Sequence, residues 1–214
     1  MKRSIRHSGT GGFTIVELMI ATAVFAIVLM VVTTGIMQVT RVYYKGLTEA
    51  NTQDAARSIM DSITQAIQFN GGAVSTTPAS PSAGASYAFC VGNQQYSYTL
   101  GYELMDTPDP LQAQTYHALV VDTLSGCSAS SPAQNVRAAS ITGRELLSPR
   151  MRLSNLSVTN VGANLYRVQV RVVYGDDDLL NNPTTTGAVC QSVRAGTQFC
   201  ALSDLSSVVI KRVE

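Results

Sequence analysis

The most restrictive feature of this sequence is a long apolar segment close to its N-terminus. Residues 18–40 form an uninterrupted stretch of 23 residues without a charged side chain, and most of them are Ala, Val, Ile, Leu, Met or Phe. At 1.5 Å per residue, a helix of this length spans the hydrocarbon core of a bilayer, which is about 30 Å thick. The segment therefore predicts a transmembrane helix.

The residues that precede this segment set its orientation. Lys2, Arg3 and Arg6 form a basic leader, which the positive-inside rule keeps in the cytoplasm. A secretory signal peptide would place its small-residue cleavage site after the apolar region, whereas here the two glycines at 11–12 come before it. Glu17 is also unusual, because a charge costs roughly 2.5–3.5 kcal/mol near the bilayer centre. We therefore expect Glu17 to have a partner.

A short motif joins the leader to the apolar helix. Residues 12–20 read Gly-Phe-Thr-Ile-Val-Glu-Leu-Met-Ile. With the basic leader, this motif resembles the class III signal of type IV pilins and type II secretion pseudopilins, over residues 1–40. The resemblance implies that a prepilin peptidase cuts between Gly12 and Phe13 and then N-methylates Phe13. It also implies that Glu17 neutralises the Phe13 amine of a neighbouring subunit during assembly.

The helix is predicted to continue beyond the membrane. Ile59, Ile63 and Ile67 recur every four residues, which indicates one apolar stripe on an otherwise polar helix. The Asn-Gly-Gly sequence at 70–72 is a helix stop signal. The predicted organisation is a leader (1–12), a transmembrane or filament-core helix (13–40), an amphipathic continuation (41–70) and an exported globular head (71–214).

The head is predicted to be rich in β-structure. Alternating apolar and polar residues, or short apolar runs, predict strands at 87–91, 95–100, 116–122, 153–159, 165–174 and 207–213. Residues 71–86 and 125–140 are small and polar, so we predict loops there. The predicted fold class is α+β, with the second half of the long helix packed on a mostly antiparallel sheet. This layout also resembles pilin heads.

The four cysteines all fall in the head. Cys90, Cys127, Cys190 and Cys200 contain no C-x-x-C pair, which argues against a zinc site. An exported head favours disulfides, and four cysteines allow three pairings. We favour Cys190–Cys200, which flanks a short loop, together with Cys90–Cys127, because each would join neighbouring β-segments. Buried free thiols in a cytosolic protein are the alternative, and they conflict with the export signal.

Signals for catalysis are weak. No nucleophile elbow, zinc-protease or P-loop motif is present, and the chain has only two histidines, one of them in the leader. His117 lies in an apolar run, where a structural role is expected. We predict that the protein is not an enzyme and has no catalytic residues, cofactor-binding residues, metal ligands or cofactor.

Two charged clusters in the head have alternative interpretations. Asp176, Asp177 and Asp178 could bind Ca²⁺, but their spacing matches no EF-hand loop and a solvated turn is favoured. A basic cluster is formed by Arg144, Arg150 and Arg152, with Arg137 nearby. A solvated face is favoured over a DNA-binding patch, since the formal net charge of the whole chain is only +1.

The resemblance implies a function in assembly. The expected protein is a minor pilin or larger minor pseudopilin-like subunit of a type IV pilus or type II secretion filament. Its expected partners are prepilin peptidase, other pilin or pseudopilin subunits, the inner-membrane assembly platform and the membrane. Its expected location is the cytoplasmic membrane in a single pass, with the head outside, and then a surface or periplasmic filament. The alternatives are a filament-tip adhesin or a DNA-binding competence pilin, and, in a different class, a membrane-anchored exported enzyme.

Overall fold

The computed structural model describes residues 12–127, 132–183, 187–191 and 196–213. Most of the predicted leader, residues 1–11, lies outside the described residues, as do short parts of the head. The elements are α1 (Ile15–Phe69), β1 (Ser86–Val91), β2 (Gln94–Thr99), β3 (Glu103–Leu104), β4 (Gln114–Thr115), β5 (Leu119–Thr123), β6 (Arg144–Glu145), β7 (Met151–Gly162), β8 (Leu165–Tyr174), β9 (Leu180–Asn181), β10 (Val189–Cys190) and β11 (Ala201–Ile210), with 3₁₀ turns at Asp177–Leu179 and Thr197–Phe199.

The long helix α1 begins and ends where the sequence predicts. It runs from Ile15 to Phe69 and passes through Gly35 without interruption. At its end, the Asn70 N–H donates to the Ala66 carbonyl, and Gly72 adopts a left-handed backbone conformation. By contacts the chain divides into two compact units, Met1–Tyr43 and Tyr44–Glu214, and α1 contributes residues to both.

In the second unit, α1 supplies one wall of the main hydrophobic core. Ile59, Ile63 and Ile67 are all fully buried, so the predicted apolar stripe is confirmed. Smaller side chains beside them, including Ala56 and Ala66, are buried as well, and they let the sheet residues approach the helix closely. Burial of this stripe fixes which side of the helix faces the head.

The described residues of the head form three sheets. The largest has the strand order β11-β8-β7-β3-β4, the second has the order β1-β2-β5-β6, and β9 pairs with β10. Every strand pairing in the described part of the head is antiparallel except that of β3 with β4. One long helix packed on mostly antiparallel sheets is the predicted α+β fold.

The longer strands agree with the sequence predictions more closely than the short ones. Strand β8 occupies the predicted residues, and its alternate residues Val168, Val170 and Val172 are fully buried. The last strand was placed too late: β11 begins at Ala201, directly after Cys200, and pairs with β8 over its whole length. Strands β3, β4, β6, β9 and β10 have two residues each, too few to show an alternating pattern, and they were not predicted.

Strand β2 is buried on both faces, although its sequence alternates. Tyr96 and Tyr98 face the core, as their spacing predicts, but Ser97 on the opposite face is also fully buried. The segment that follows residue 131 covers that face, since the Gln134 N–H donates to the Ser97 hydroxyl and Val136 is fully buried. Part of the predicted 125–140 loop is therefore packed structure.

Two disulfides connect the cysteines in the pairs that the sequence analysis favoured. Cys90 in β1 bonds to Cys127, and Cys190 in β10 bonds to Cys200, with Cα atoms 5.8 Å apart in each pair. The chain has four cysteines and both bonds are formed, so none is left as a free thiol. The second bridge ties β10 to the residue immediately before β11.

Candidate functional site

The first unit exposes its apolar surface on every side. From Gly12 to Tyr43 each residue is exposed, including large side chains such as Ile15, Phe25 and Met30. Among the described residues, α1 is the one helix long and apolar enough to cross a membrane. A helix that is apolar all round is stable only when lipid or other protein covers it.

The hydroxyl groups within this apolar segment are satisfied by the helix itself. The Thr33 hydroxyl donates to the Leu29 carbonyl at 2.7 Å, and the Thr34 hydroxyl donates to the Met30 carbonyl at 3.0 Å. Thr22 bonds in the same way to its own helix backbone, as does Thr40. These threonines therefore add no unpaired hydroxyl donor to a lipid-facing surface.

The predicted cleavage junction is accessible. Gly12 is exposed, and Phe13 keeps 86% of its surface exposed. A Cβ atom added to Gly12 would meet nothing within 4 Å. The described fold therefore does not itself require glycine at position 12, and a requirement for glycine there would come from a partner that binds the junction.

Glu17 forms a capping box with Thr14 at the start of α1. The Glu17 carboxylate accepts the Thr14 N–H at 2.9 Å and the Thr14 hydroxyl at 3.0 Å. In return, the Thr14 hydroxyl oxygen accepts the Glu17 N–H at 3.2 Å. This reciprocal arrangement satisfies two of the backbone donors that a helix N-terminus leaves unpaired.

The capping role of Glu17 was missed in the sequence analysis, although the motif contains its signal. Thr14 and Glu17 are spaced as T-x-x-E directly before an apolar run, which is the pattern of a capping box. The box holds the Glu17 carboxylate in the first turn, three residues from Thr14 and four from Phe13. The carboxylate therefore has a local structural partner even before any neighbouring subunit is considered.

The four arginines proposed as a basic cluster do not form one patch. Arg150 donates to Asp176 at 2.9 Å, and Arg152 is fully buried against acidic groups. Arg137 stacks over the Tyr102 ring with its guanidinium carbon 4.4 Å from the ring centre. Arg144 lies on β6, in the sheet β1-β2-β5-β6, whereas Arg152 lies on β7 in the five-stranded sheet. Because two of the four charges are neutralised by acidic partners, the cluster gives little support to DNA binding.

The acidic triplet is paired with arginine. Asp176 contacts Arg150, and Oδ1 of Asp177 lies 2.7 Å from Nη2 of Arg152. A turn that is merely solvated is therefore not what the structure contains at Asp176 and Asp177. Within the described ranges, no group of three or more His, Cys, Asp or Glu side chains is placed to hold a metal ion.

His117 lies beside a partly buried carboxylate. Its Nδ1 is 3.5 Å from Oε2 of Glu145, which also accepts the Ala118 N–H at 3.0 Å. Oε1 of Glu145 accepts the N–H groups of Leu119 and Leu147, each at 3.0 Å. Burial raises the pKa of Glu145, and the three backbone donors oppose that shift. Because this carboxylate joins β5 to the turn after β6, the pair stabilises the fold and has the geometry of a structural site.

Comparison of the chain with protein-family models, curated proteins and solved structures gave no match.

Proposed function

We propose that this chain is a minor pilin or pseudopilin-like subunit, cut between Gly12 and Phe13 and assembled into a filament through α1. The observation that carries the proposal is the Gly-Phe junction followed by Glu17 at the start of α1, whose apolar first part is exposed as far as Tyr43. The apolar side chains of this exposed part of α1 must be buried by lipid before assembly and by neighbouring helices after assembly. The two disulfides are consistent with a head outside the cytoplasm.

The accessible junction supports processing by a prepilin peptidase. A peptidase must bind the chain in extended form around the scissile bond, and the exposed residues Gly12 and Phe13 precede the first helical residue, Ile15. Since the fold has space for a side chain at position 12, Gly12→Leu leaves α1 intact and changes only what the peptidase meets.

The cleavage step is tested by co-expression with a prepilin peptidase. Mass spectrometry of the membrane fraction is expected to show that the wild-type chain loses residues 1–12 and gains one methyl group on Phe13. The Gly12→Leu chain is expected to remain uncut. Gly11→Leu is the matched control, because it adds the same bulk one residue earlier and should still be processed. Normal cleavage of Gly12→Leu would overturn the proposal.

The assembly step depends on how Glu17 acts, and three variants separate the possibilities. Glutamine at position 17 can still accept the Thr14 N–H but carries no charge. Thr14→Ala removes the capping hydroxyl and keeps the charge, whereas Glu17→Ala removes both contributions. If charge pairing with the Phe13 amine drives assembly, Glu17→Gln and Glu17→Ala both incorporate poorly, while Thr14→Ala incorporates nearly normally.

Incorporation is measured as the fraction of processed subunit recovered in filaments sheared from cells. All three variants should be cut normally, because position 12 is unchanged. A carboxylate at the edge of the apolar run costs less than the roughly 2.5–3.5 kcal/mol of a charge at the bilayer centre, and pairing would recover part of that cost. If Glu17→Gln assembles like wild type and Thr14→Ala does not, Glu17 acts as a helix cap and the pairing role is wrong.

A further inference from the structure

An aromatic patch lies where the second unit begins. It consists of Tyr44, Leu47 and Phe199, each with between 41% and 47% of its surface exposed. The ring centres of Tyr44 and Phe199 are 6.0 Å apart, within the range of a direct aromatic contact. Leu47 follows Tyr44 by three residues and so lies on the same side of α1.

The position of Phe199 is fixed by several independent bonds. It ends the 3₁₀ turn Thr197–Phe199, and the next residue, Cys200, is bridged to Cys190. The Thr48 hydroxyl of α1, whose closest acceptors are carbonyls of its own helix, also lies 3.3 Å from the neighbouring Gln198 carbonyl. The patch is therefore a defined surface that joins α1 to the disulfide-bonded turn, which we call the bridged turn.

The place of this patch along α1 identifies what covers it. The uncharged run ends at residue 40, so Tyr44 follows it by about 6 Å and Leu47 by about 10 Å along a helix axis. The headgroup layer on each side of a bilayer is roughly 5–8 Å thick. With the apolar run across the hydrocarbon core, Tyr44 falls in the headgroup layer and Leu47 at its outer edge.

The chemistry of the patch suits the same layer. Tyrosine and other aromatic rings concentrate at membrane–water interfaces, where an apolar ring meets polar headgroups. Lys45, in the same turn of α1, is exposed and pairs with Glu49 at 3.7 Å, and its long stem lets its charge extend to the headgroups. A ring contributed by a distant part of the chain adds apolar surface that α1 alone does not have.

We propose that the aromatic patch rests in the lipid headgroup region, so that the bridged turn is a second membrane contact of the head. The contact restrains the head against the bilayer before the subunit leaves the membrane. This inference rests on the proposed membrane anchorage by α1. The partner of the aromatic patch, whose residues lie outside the apolar run, is a lipid surface.

The absence of tryptophan from the sequence allows a direct test in the full-length chain. Three exposed phenylalanines provide a matched Phe→Trp series: Phe25 in the apolar run, Phe199 in the patch and Phe69 at the far end of α1. Each single-tryptophan chain is reconstituted in vesicles of phosphatidylethanolamine and phosphatidylglycerol. The vesicles are prepared without bromolipid, with lipids brominated close to the headgroup, or with lipids brominated near the ends of the acyl chains.

The expected result is that bromolipid quenches Phe199→Trp emission and that the emission lies to the blue of that from Phe69→Trp. Phe25→Trp, which lies deep in the apolar run, should be quenched by the lipid brominated near the chain ends, whereas Phe69→Trp should be quenched by neither bromolipid. If Phe25→Trp is quenched and Phe199→Trp behaves like Phe69→Trp, the inference fails while the anchorage stands. If neither bromolipid quenches Phe25→Trp, the anchorage itself fails. A blue shift of Phe199→Trp without bromolipid quenching means that protein covers the patch, and it also overturns the inference.

The bridge is tested in the Phe199→Trp chain by changing both Cys190 and Cys200 to serine. If the bridge holds the ring at the membrane, the quenching of Phe199→Trp falls severalfold, while that of a Phe25→Trp chain with the same serines is unchanged. Equal quenching of Phe199→Trp with and without the bridge would contradict the role assigned to the disulfide.

Discussion

Arg152 and Asp177 form a short ion pair across the head, with Nη2 of Arg152 2.7 Å from Oδ1 of Asp177. The arginine side chain is fully buried, whereas the aspartate keeps 35% of its side chain exposed. The same guanidinium group lies 3.4 Å from Oε2 of Glu103 and donates to the Gly175 carbonyl at 3.1 Å. Arg152 therefore connects β7 to β3 and to the acidic turn that follows β8.

The first prediction concerns this buried arginine. Arg152→Leu leaves the buried Glu103 carboxylate without its positive partner, and breaking a buried pair in this way costs about 3–5 kcal/mol. Urea unfolding of the full chain in detergent micelles measures the loss. The control is Arg171→Leu, which removes the more exposed Arg171–Asp204 pair and is expected to cost about 0–1 kcal/mol. Equal losses in the two variants would contradict the prediction.

The second prediction concerns the pH dependence due to Glu145. Burial raises its pKa, so the folded chain keeps a proton in a pH range where the unfolded chain has released it. The stability from this carboxyl is present below its ordinary pKa and is lost as the pH rises through the raised value. The free energy of unfolding should therefore fall less steeply with pH in Glu145→Gln than in the parent chain.

The slope is measured by urea unfolding from about pH 4 to about pH 7, a range that brackets the ordinary glutamate pKa. Both chains carry His117→Phe, because His117 faces Glu145 and would otherwise lose its carboxylate partner in only one of them. Glu103, whose pKa burial also raises, is common to both chains, so its effect cancels in the difference. Identical slopes would show that Glu145 does not titrate as inferred.

The third prediction compares the two disulfides. Cys90 and Cys127 are 37 residues apart, and Cys190 and Cys200 are 10 apart. In the chain-entropy model, the longer loop contributes about 4 kcal/mol and the shorter about 3 kcal/mol. Replacing Cys90 and Cys127 by serine should therefore destabilise the head by about 1 kcal/mol more than replacing the other pair. A larger loss for the shorter loop, in the same unfolding assay, would contradict this order.

The fourth prediction concerns a close approach between two backbone segments. Gly92, in the turn between β1 and β2, has φ +60°, and an added Cβ would lie 2.2 Å from the Gly71 carbonyl oxygen. Gly92→Ala should therefore cost roughly 1–3 kcal/mol in the unfolding assay. Gly126→Ala is the control, because nothing lies within 4 Å of the added atom. A neutral Gly92→Ala would show that the two segments can separate without cost.

Several parts of the fold could be predicted because they depend on local periodicity. The Ile59, Ile63 and Ile67 stripe and the alternation along β8 each place side chains on one face whatever surrounds them. Tyr96 in β2 followed the same rule, but Ser97 did not. Its burial depends on a distant segment that folds over the outer face of the strand, and nothing in the local pattern signals that cover.

The sequence itself contains the long apolar segment, the junction at Gly12 and the T-x-x-E spacing of Thr14 and Glu17, because each depends on residues close together along the chain. The tertiary structure alone decided the partners of distant charges and rings. Arg152 and Asp177 meet because β7 and β8 are neighbours in one sheet, and Phe199 meets Tyr44 because the 3₁₀ turn Thr197–Phe199 lies against α1. Such contacts depend on chain topology, and residues far apart in sequence carry no local signal of which topology will bring them together.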